Sequence, residues 1–410
     1  MNWWEKLEEK PKRERFALKV IQALRVAGIQ GSIDYDAEKF QITLLRERES
    51  VDHMQMNLSN VYADYLAAPK PNRWRVIERF IRGTREFEMP KGFDEVRDHL
   101  VVRVRPRCYY TMLQLRFGKE RAQRRAVVHQ PLGEHLAVGL AIDRKDGLIE
   151  VFSDMLTDWN LTVEEAFALG RDNLRRMSPS SLTALGPGLY CSPRGDNHDA
   201  SRLALDDLVR DCEVKGDYVA MVPNRDTLLI TGADDPYNLG AMLHVGEKML
   251  RGKPRPMSGI PVRLRNGVWE SFAPDEIYPE LRQFRYLRVQ SETQDYAEQK
   301  ELLDASHAKQ DKNVFVATHS VLQHKETGEI RSYTFWGDCM ETLLPRAEIV
   351  FFMRANEQGE GGVLADAYWD RVCEIVGHRM KPTDDYPPRY FADTFPNEDE
   401  LQRLGKQEIL

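Results

Sequence analysis

The fold of this chain is decided by residues 218–232, Tyr-Val-Ala-Met-Val-Pro-Asn-Arg-Asp-Thr-Leu-Leu-Ile-Thr-Gly. Residues 218–222 and 227–230 are rich in the β-branched and aromatic side chains that suit half-buried strands. Pro223 fixes its own φ and donates no backbone hydrogen bond, so it belongs at a strand end. Asn224 and Asp226 favour a turn because their short side chains bond nearby backbone groups. The stretch therefore predicts a β-hairpin.

A helical pattern lies on each side of this hairpin. Upstream, Leu205, Leu208, Val209 and Cys212 fall at i, i+3, i+4 and i+7, and residues 239–250 repeat such an apolar stripe downstream. Asn266-Gly267 then predicts a second hairpin. The order helix, hairpin, helix, hairpin predicts an α+β protein in which helices pack on one face of antiparallel sheets, in an arrangement repeated two or three times along the chain.

The chain is long enough for several domains, and we predict three. They are an N-terminal α+β domain (1–130), a central α+β domain (131–275) and a C-terminal α+β extension with an acidic tail (276–410). Residues 109–115 are predicted to form a strand, and residues 294–310 a polar helix. The last twenty residues are predicted to be loosely attached.

Composition narrows the class of protein. With 42% apolar and 30% charged residues the chain is typical of soluble globular proteins. It has no apolar run of about 18 residues, which argues against a membrane span. The first residues lack a secretion signal, and the five scattered cysteines, without a Cys-x-x-Cys pair, are interpreted as free thiols. We therefore predict a cytoplasmic protein.

A net charge of −7 argues against a general nucleic-acid binder. Residues 97–125 are nevertheless strongly basic, so a local phosphate-binding patch is an alternative there. We favour a solvated strand face and loop, because charge runs usually face water. The basic residues are Arg97, Arg103, Arg105, Arg107, Arg116, Lys119, Arg121, Arg124 and Arg125.

Two short motifs carry a family resemblance: Asp199-Ala200-Ser201-Arg202 and Pro223-Asn224-Arg225-Asp226-Thr227-Leu228. With the order of the shorter segments around residues 56–58, 141–143 and 172–175, they make residues 14–273 resemble the YtpQ-like family of uncharacterised bacterial proteins. The family has a domain of unknown function, so the resemblance implies no activity. The segment from about residue 276 lies outside it and is interpreted as an extension.

The motifs supply the candidate ligand-binding residues, Asp199, Ser201, Arg202, Arg225 and Asp226. A carboxylate and a guanidinium at a helix start could bind a phosphate or carboxylate group. The competing interpretation is structural, and we favour it. In that interpretation Asp199 caps the helix, Arg202 pairs with an acid such as Asp206, and Arg225-Asp226 closes the turn.

Catalytic, cofactor and metal patterns are weak. The chain has no Gly-x-Ser-x-Gly elbow and no phosphate-binding P-loop, and Gly186-Pro187-Gly188 does not complete a dinucleotide fingerprint. His198 with Asp196 and Asp199 has no second His or Cys at ligand spacing, so no metal is predicted. We also predict no catalytic residue and no cofactor.

The sequence therefore favours a non-catalytic protein-binding or adaptor module with a possible protein partner. The alternative is a hydrolase or nuclease acting on a phosphate-containing substrate. In that case Asp199 and Asp226 would act as acids, and Arg202 and Arg225 would hold the anion.

Overall fold

The computed structural model describes residues 12–29, 32–37, 40–45, 53–84, 92–117, 126–144, 147–252, 256–324, 328–338, 341–355 and 361–406. The chain divides into two compact units. Unit 1 comprises Met1–Asp98 and Asp143–Ile149, and unit 2 comprises His99–Ile142 and Glu150–Leu410. The predicted boundaries after residues 130 and 275 both fall inside unit 2, and the three-domain division stays a prediction.

Unit 1 packs helices against a small antiparallel sheet of strand order β1-β2-β3. Its core is formed by apolar residues from the helices and the sheet, among them Phe16, Val20, Leu24 and Ile42. Residues 16, 20 and 24 recur about every turn on α1, so the helix buries one apolar face. The elements are α1 (Lys12–Val26), β1 (Ser32–Asp36), β2 (Gln41–Leu45), β3 (His53–Asn57), α2 (Ser59–Ala67) and α3 (Arg73–Thr84).

Unit 2 begins with a sheet of order β4-β6-β5. The predicted strand at residues 109–115 is wrong, because these residues belong to a helix. Cys108 and Met112, one turn apart, are both buried, and this helical burial outweighs the β-propensity of the tyrosines. The elements are β4 (Leu100–Pro106), α4 (Arg107–Phe117), β5 (His129–Leu132) and β6 (Leu136–Arg144), and the next strand along the chain, β7 (Gly147–Glu150), belongs mostly to unit 1.

Two helices follow, α5 (Ser153–Asp158) and α6 (Val163–Met177). Thr162 and Glu165 form a capping box at the start of α6: the Thr162 Oγ1 accepts from the Glu165 amide, and the Glu165 carboxylate accepts from the Thr162 amide. Gly170 lets α6 approach β4 and β6, since a Cβ there would lie 3.0 Å from Leu140 Cδ2 and 3.2 Å from Val102 Cγ1.

The central sheet of unit 2 has the order β13-β12-β10-β11-β9-β8. Both predicted hairpins are confirmed, as β10–β11 and β12–β13. Val219 and Met221 of β10 pack with Leu239 and Met242 of the following helix. The elements are β8 (Thr183–Gly186), β9 (Leu189–Ser192), a 3-10 helix (Ala200–Ala204), α7 (Asp206–Arg210), β10 (Tyr218–Asn224), β11 (Thr227–Gly232), α8 (Pro236–Gly252), β12 (Val262–Arg265) and β13 (Val268–Ser271).

The C-terminal part of unit 2 contains two four-stranded sheets, of order β14-β17-β21-β20 and β15-β16-β18-β19. Each includes one parallel pair, β14 with β17 and β16 with β18. The elements are α9 (Pro274–Ile277), α10 (Gln283–Lys309), β14 (Phe315–Val316), β15 (Ser320–Gln323), β16 (Ile330–Gly337), β17 (Thr342–Pro345), β18 (Ile349–Ala355), β19 (Gly361–Tyr368), α11 (Trp369–Val376), β20 (Met380–Pro382), β21 (Arg389–Ala392) and α12 (Glu398–Leu404).

The prediction of a loosely attached C-terminus is wrong for the described residues up to 406. Arg389 is buried and donates to Gln299 Oε1 at 2.6 Å and to the Ala317 carbonyl at 2.8 Å. Leu401 and Leu404 belong to the core that also contains Trp336 and Phe352. The acidic tail therefore contains a strand and a helix that are packed into unit 2.

The fold is α+β with several sheet units, as predicted from the alternation of helical and strand patterns. Within the described residues, no helix combines the length and apolarity needed to cross a membrane.

Candidate functional site

Arg202, one of the predicted site residues, is fully buried and surrounded by hydrogen-bond acceptors. Its Nη1 donates to Asp199 Oδ1 at 2.9 Å and to Asp196 Oδ1 at 3.0 Å, and its Nε donates to Ser178 Oγ at 3.1 Å. The predicted pairing with Asp206 is therefore wrong. Arg202 is held by the loop that precedes it, where burial strengthens each charge-assisted hydrogen bond.

Asp199 does not cap the following 3-10 helix, in contrast to our prediction. Its own backbone is helical (φ −54°, ψ −51°), whereas a capping residue is usually extended. The carboxylate accepts instead from the backbone amides of Arg194 at 3.0 Å and Gly195 at 2.7 Å, and from Ser192 Oγ at 2.5 Å. Asp199 thus closes the loop 192–199 around Arg202.

The other three predicted residues serve neighbouring backbone or side chains. Ser201 Oγ accepts from the Val104 amide of β4 at 3.2 Å. Arg225 donates to the Asn197 side chain and lies 3.5 Å from the Asp226 carboxylate. The Asp226 amide donates to Asn224 Oδ1 at 2.9 Å, which is the expected turn contact. The structure joins Asp199 and Arg202 in one buried network, places Ser201 against β4, and leaves Arg225 and Asp226 at the β10–β11 turn.

Two cavities of unit 2 are large enough for a small ligand, and none of these five residues lines either one. One, of about 600 Å³, is lined by the segment 203–207. In its wall Arg175 and Asp207 form an ion pair, with 2.5 Å between Arg175 Nε and Asp207 Oδ2. The other, of about 550 Å³, contains unpaired charge and is the candidate site. We call it the acidic cavity.

Carboxylates outnumber arginines in the wall of the acidic cavity. Helix α10 contributes Arg285, Arg288, Val289, Glu292 and Tyr296, which share one face because they lie three, four, seven and eleven residues along from the first. The acids in the wall are Glu134, Glu276, Glu292, Glu348 and Asp370, and the arginines are Arg285, Arg288 and Arg346.

Several of these charges already have partners. Arg285 donates to Glu348 and to the Ile330 carbonyl, and Glu348 also accepts from the Ser332 amide at 2.9 Å. Arg288 lies 3.5 Å from Asp275 Oδ2. Glu292, in contrast, forms no hydrogen bond to the described residues.

Glu292 is partly buried, and its environment disfavours the charged form. Burial raises the pKa of this carboxyl to about 7; Arg288 opposes the shift, while Glu134, Glu348 and Asp295 add to it. Burial likewise raises the pKa of Asp295, one turn further along α10, to about 7. The cavity thus holds a carboxyl group that titrates near neutral pH, which is typical of functional sites.

A buried hydrogen-bonded pair forms another part of the wall. Tyr386 Oη and His135 Nδ1 are 2.6 Å apart, and the Arg107 guanidinium lies 4.7 Å from the centre of the Tyr386 ring. Burial lowers the pKa of His135 and raises that of Tyr386, so both side chains are neutral at pH 7. This pair adds polarity to the cavity without adding charge.

Comparison with known proteins does not assign the site. No family model, no curated protein and no solved structure matches the chain. The YtpQ-like resemblance therefore stays a prediction from the two motifs, and function has to be inferred from the geometry.

The sequence interpretation missed the residues of this cavity. Arg285, Arg288 and Glu292 stand three and four residues apart, the spacing of one helical face, and none of them lies in a motif from which a site was predicted. A run of polar residues at that spacing usually faces water, so the pattern alone did not indicate a cavity. Four of the five cysteines are free thiols, as predicted, and Cys339 lies outside the described residues.

Proposed function

We propose that this protein is a non-catalytic binding protein whose acidic cavity accepts a cationic group, an ammonium or a guanidinium. The observation that carries the proposal is Glu292, a partly buried carboxylate without a hydrogen-bond partner among the described residues, in a wall where acids outnumber arginines. A buried charge without a partner is costly, and a ligand of opposite sign would remove that cost.

The wall favours an organic cation over a metal ion. The described residues contain no group of three or more His, Cys, Asp or Glu side chains placed to hold a metal. Phe272, Tyr296 and Trp369 line the cavity with apolar and aromatic surface. Such surface suits the hydrocarbon part of an amine or guanidine, and aromatic faces attract cations.

Two sources could supply this group. One is a small amine or guanidine, and the other is a Lys or Arg side chain of a protein partner. The second source agrees with the adaptor role predicted from the sequence.

The alternative of a phosphate-directed hydrolase or nuclease gains no support from the residues proposed for it. Asp199 and Arg202 are fully buried and bind each other, which leaves neither free to act on a substrate. Cys108 is no stronger a candidate, because burial raises the pKa of its thiol and the thiolate is the nucleophilic form.

Isothermal titration calorimetry of the full chain tests the proposal with putrescine, agmatine and a short Arg/Lys peptide, with uncharged 1,4-butanediol as the matched control. Binding of a cation favours the ionised form of Glu292, so binding at pH 7 should release protons. Proton release appears as a dependence of the measured heat on the buffer. Glu292→Gln should abolish this dependence and weaken binding about tenfold or more.

Glu301→Gln is the matched control, because Glu301 is an exposed acid of the same helix; it should leave binding unchanged. Tighter binding of the peptide than of the free amines would identify a protein partner as the source. Absence of saturable binding by all three cations, or binding unaffected by Glu292→Gln, would overturn the proposal.

A further inference from the structure

Strand β4 carries two buried arginines on one face. Arg103 and Arg105 are two residues apart and therefore point to the same side of the strand. Each is less than a tenth exposed. This corrects the prediction that the basic run forms a solvated strand face; Lys119, Arg121, Arg124 and Arg125 of that run lie outside the described residues.

Within the described residues, the carboxylate of Glu150 is the one negative group that contacts this pair, and it does so through Arg103. Its Oε1 accepts from Arg103 Nη1 at 2.6 Å and from Tyr109 Oη at 2.9 Å. Its Oε2 and the Nε of Arg103 are buried without a hydrogen-bond partner. Among the described residues this carboxylate therefore binds Arg103 through one of its oxygens and forms no hydrogen bond or ion pair with Arg105.

Arg105 is the less satisfied arginine. Its Nη1 donates to the carbonyl of Val104 at 2.8 Å, and no other hydrogen bond to the described residues is formed by its guanidinium group. Its Nε and Nη2 are not among the fully enclosed unpaired atoms of those residues, so they keep some access to the surface. Burial, followed by the charge of Arg103, lowers the pKa of Arg105 to about 9, which still leaves it charged at pH 7.

Three further ionisable groups of the cluster, Tyr109, Tyr110 and His129, are neutral at pH 7. Tyr110 donates to the Arg103 carbonyl at 3.3 Å, and its ring stacks on His129 with 4.5 Å between ring centres. Burial raises the pKa of Tyr110 and of Tyr109 and lowers that of His129. The cluster consequently holds two positive charges against one negative charge in a buried setting.

We propose that Arg103 and Arg105 form a binding site for the phosphate group of a small ligand, either the free ion or a phosphate monoester. A phosphate dianion matches the unbalanced guanidinium groups, and the planar fork of arginine suits two of its oxygens at once. The site is independent of the acidic cavity, which selects groups of the opposite charge.

The backbone that presents the pair is held from several sides. Ser201 accepts from the amide of Val104, between the two arginines, and the next residue, Arg202, is held by Asp199. Gly139, the partner of Arg103 in the β4–β6 register, leaves the space that Tyr110 fills, because a Cβ there would lie 2.3 Å from the Tyr110 Oη. This framework keeps the guanidinium groups in place before a ligand arrives, which lowers the cost of binding.

Equilibrium binding of inorganic phosphate and of glycerol 3-phosphate to the full chain, measured by ³¹P NMR at constant ionic strength, tests the proposal. Wild type should show saturable binding, and the tighter of the two ligands identifies the free ion or the ester as the natural class. Arg105→Met should weaken binding about tenfold or more, and Arg105→Lys by a smaller factor, because lysine keeps the charge and loses the fork.

Arg265→Met is the matched control, since Arg265 is an exposed strand arginine, and it should bind as wild type does. If Arg105→Met does not fold, the titrations of wild type and of Arg105→Lys test the proposal instead. Absence of saturable binding to wild type, or equal binding by wild type and the folded Arg105 variants, would overturn the proposal.

Discussion

Replacing Glu292 by glutamine should stabilise the protein in a strongly pH-dependent way. The carboxyl lies in the acidic cavity with no hydrogen-bond partner among the described residues, and burial raises its pKa to about 7. Glutamine has nearly the same shape and carries no charge. The substitution therefore removes the titration with little change in packing.

The sign of the effect follows from the direction of the shift. The folded protein binds the proton of Glu292 more tightly than the unfolded chain, in which the pKa is near 4.5. The corresponding stability is fully present below pH 4.5 and is lost as the pH rises through 7. A shift from 4.5 to about 7 corresponds to about 3 kcal/mol as an upper limit, because the side chain is only partly buried.

The free energy of unfolding of Glu292→Gln should then exceed that of wild type by less than about 1 kcal/mol at pH 5 and by up to about 3 kcal/mol at pH 8. Urea unfolding followed by tryptophan fluorescence at the two pH values measures both gains, since Trp336 and Trp369 lie in the core of unit 2. The exposed control Glu301→Gln should show no such difference. An equal gain at both pH values, or a loss of stability at pH 8, would refute the assignment of Glu292 as a strained carboxylate.

Three further substitutions test the fold. Arg389→Ala should lower the free energy of unfolding, measured in urea, by at least about 3 kcal/mol, because it leaves several buried acceptors unpaired. The exposed control Lys381→Ala should lower it little. Equal effects of the two substitutions would mean that the tail is not part of the folded core. Gly232→Ala should strongly destabilise or unfold the protein, since its Cβ would lie 2.1 Å from the Lys215 carbonyl oxygen. The control Gly186→Ala should be tolerated, because a Cβ at residue 186 meets nothing within 4 Å. Similar melting temperatures for the two variants would contradict this. Thr162→Ala removes the capping box and should lower the free energy of unfolding by about 1 kcal/mol. Thr162→Ser keeps the hydroxyl and should retain most of the wild-type stability. A Ser variant as unstable as the Ala variant would argue against the cap.

Local patterns predicted the elements whose burial follows chain spacing. The β10–β11 hairpin, the Asn266-Gly267 turn and the capping box of α6 each depend on residues a few positions apart, so their signals are present in the sequence. The interpretation of residues 109–115 as a strand followed the β-propensity of Tyr109 and Tyr110. This β-propensity is outweighed by tertiary burial, because α4 buries Cys108 and Met112, one turn apart, against distant parts of unit 2.

The candidate site was much less accessible to sequence reasoning. Asp199 and Arg202 were favoured as structural residues, and the partners predicted for them were wrong, because Asp196 and Ser178 reach Arg202 only in the folded loop. Glu292, His135 and Tyr386 come from positions far apart in the chain. No spacing rule connects them, and each one alone has the pattern of an ordinary helix or loop residue.

The amino-acid sequence by itself determined the α+β class, the position of the central hairpins and the helices whose apolar faces recur at regular intervals. These features follow from backbone propensity and side-chain periodicity, which act over a few residues. Only the tertiary structure decided that Arg103 and Arg105 are buried, that the acidic tail joins the core and that Glu292 enters a cavity without a hydrogen-bond partner among the described residues. Burial of a charge depends on which distant segments surround it, and that is a property of the packed chain.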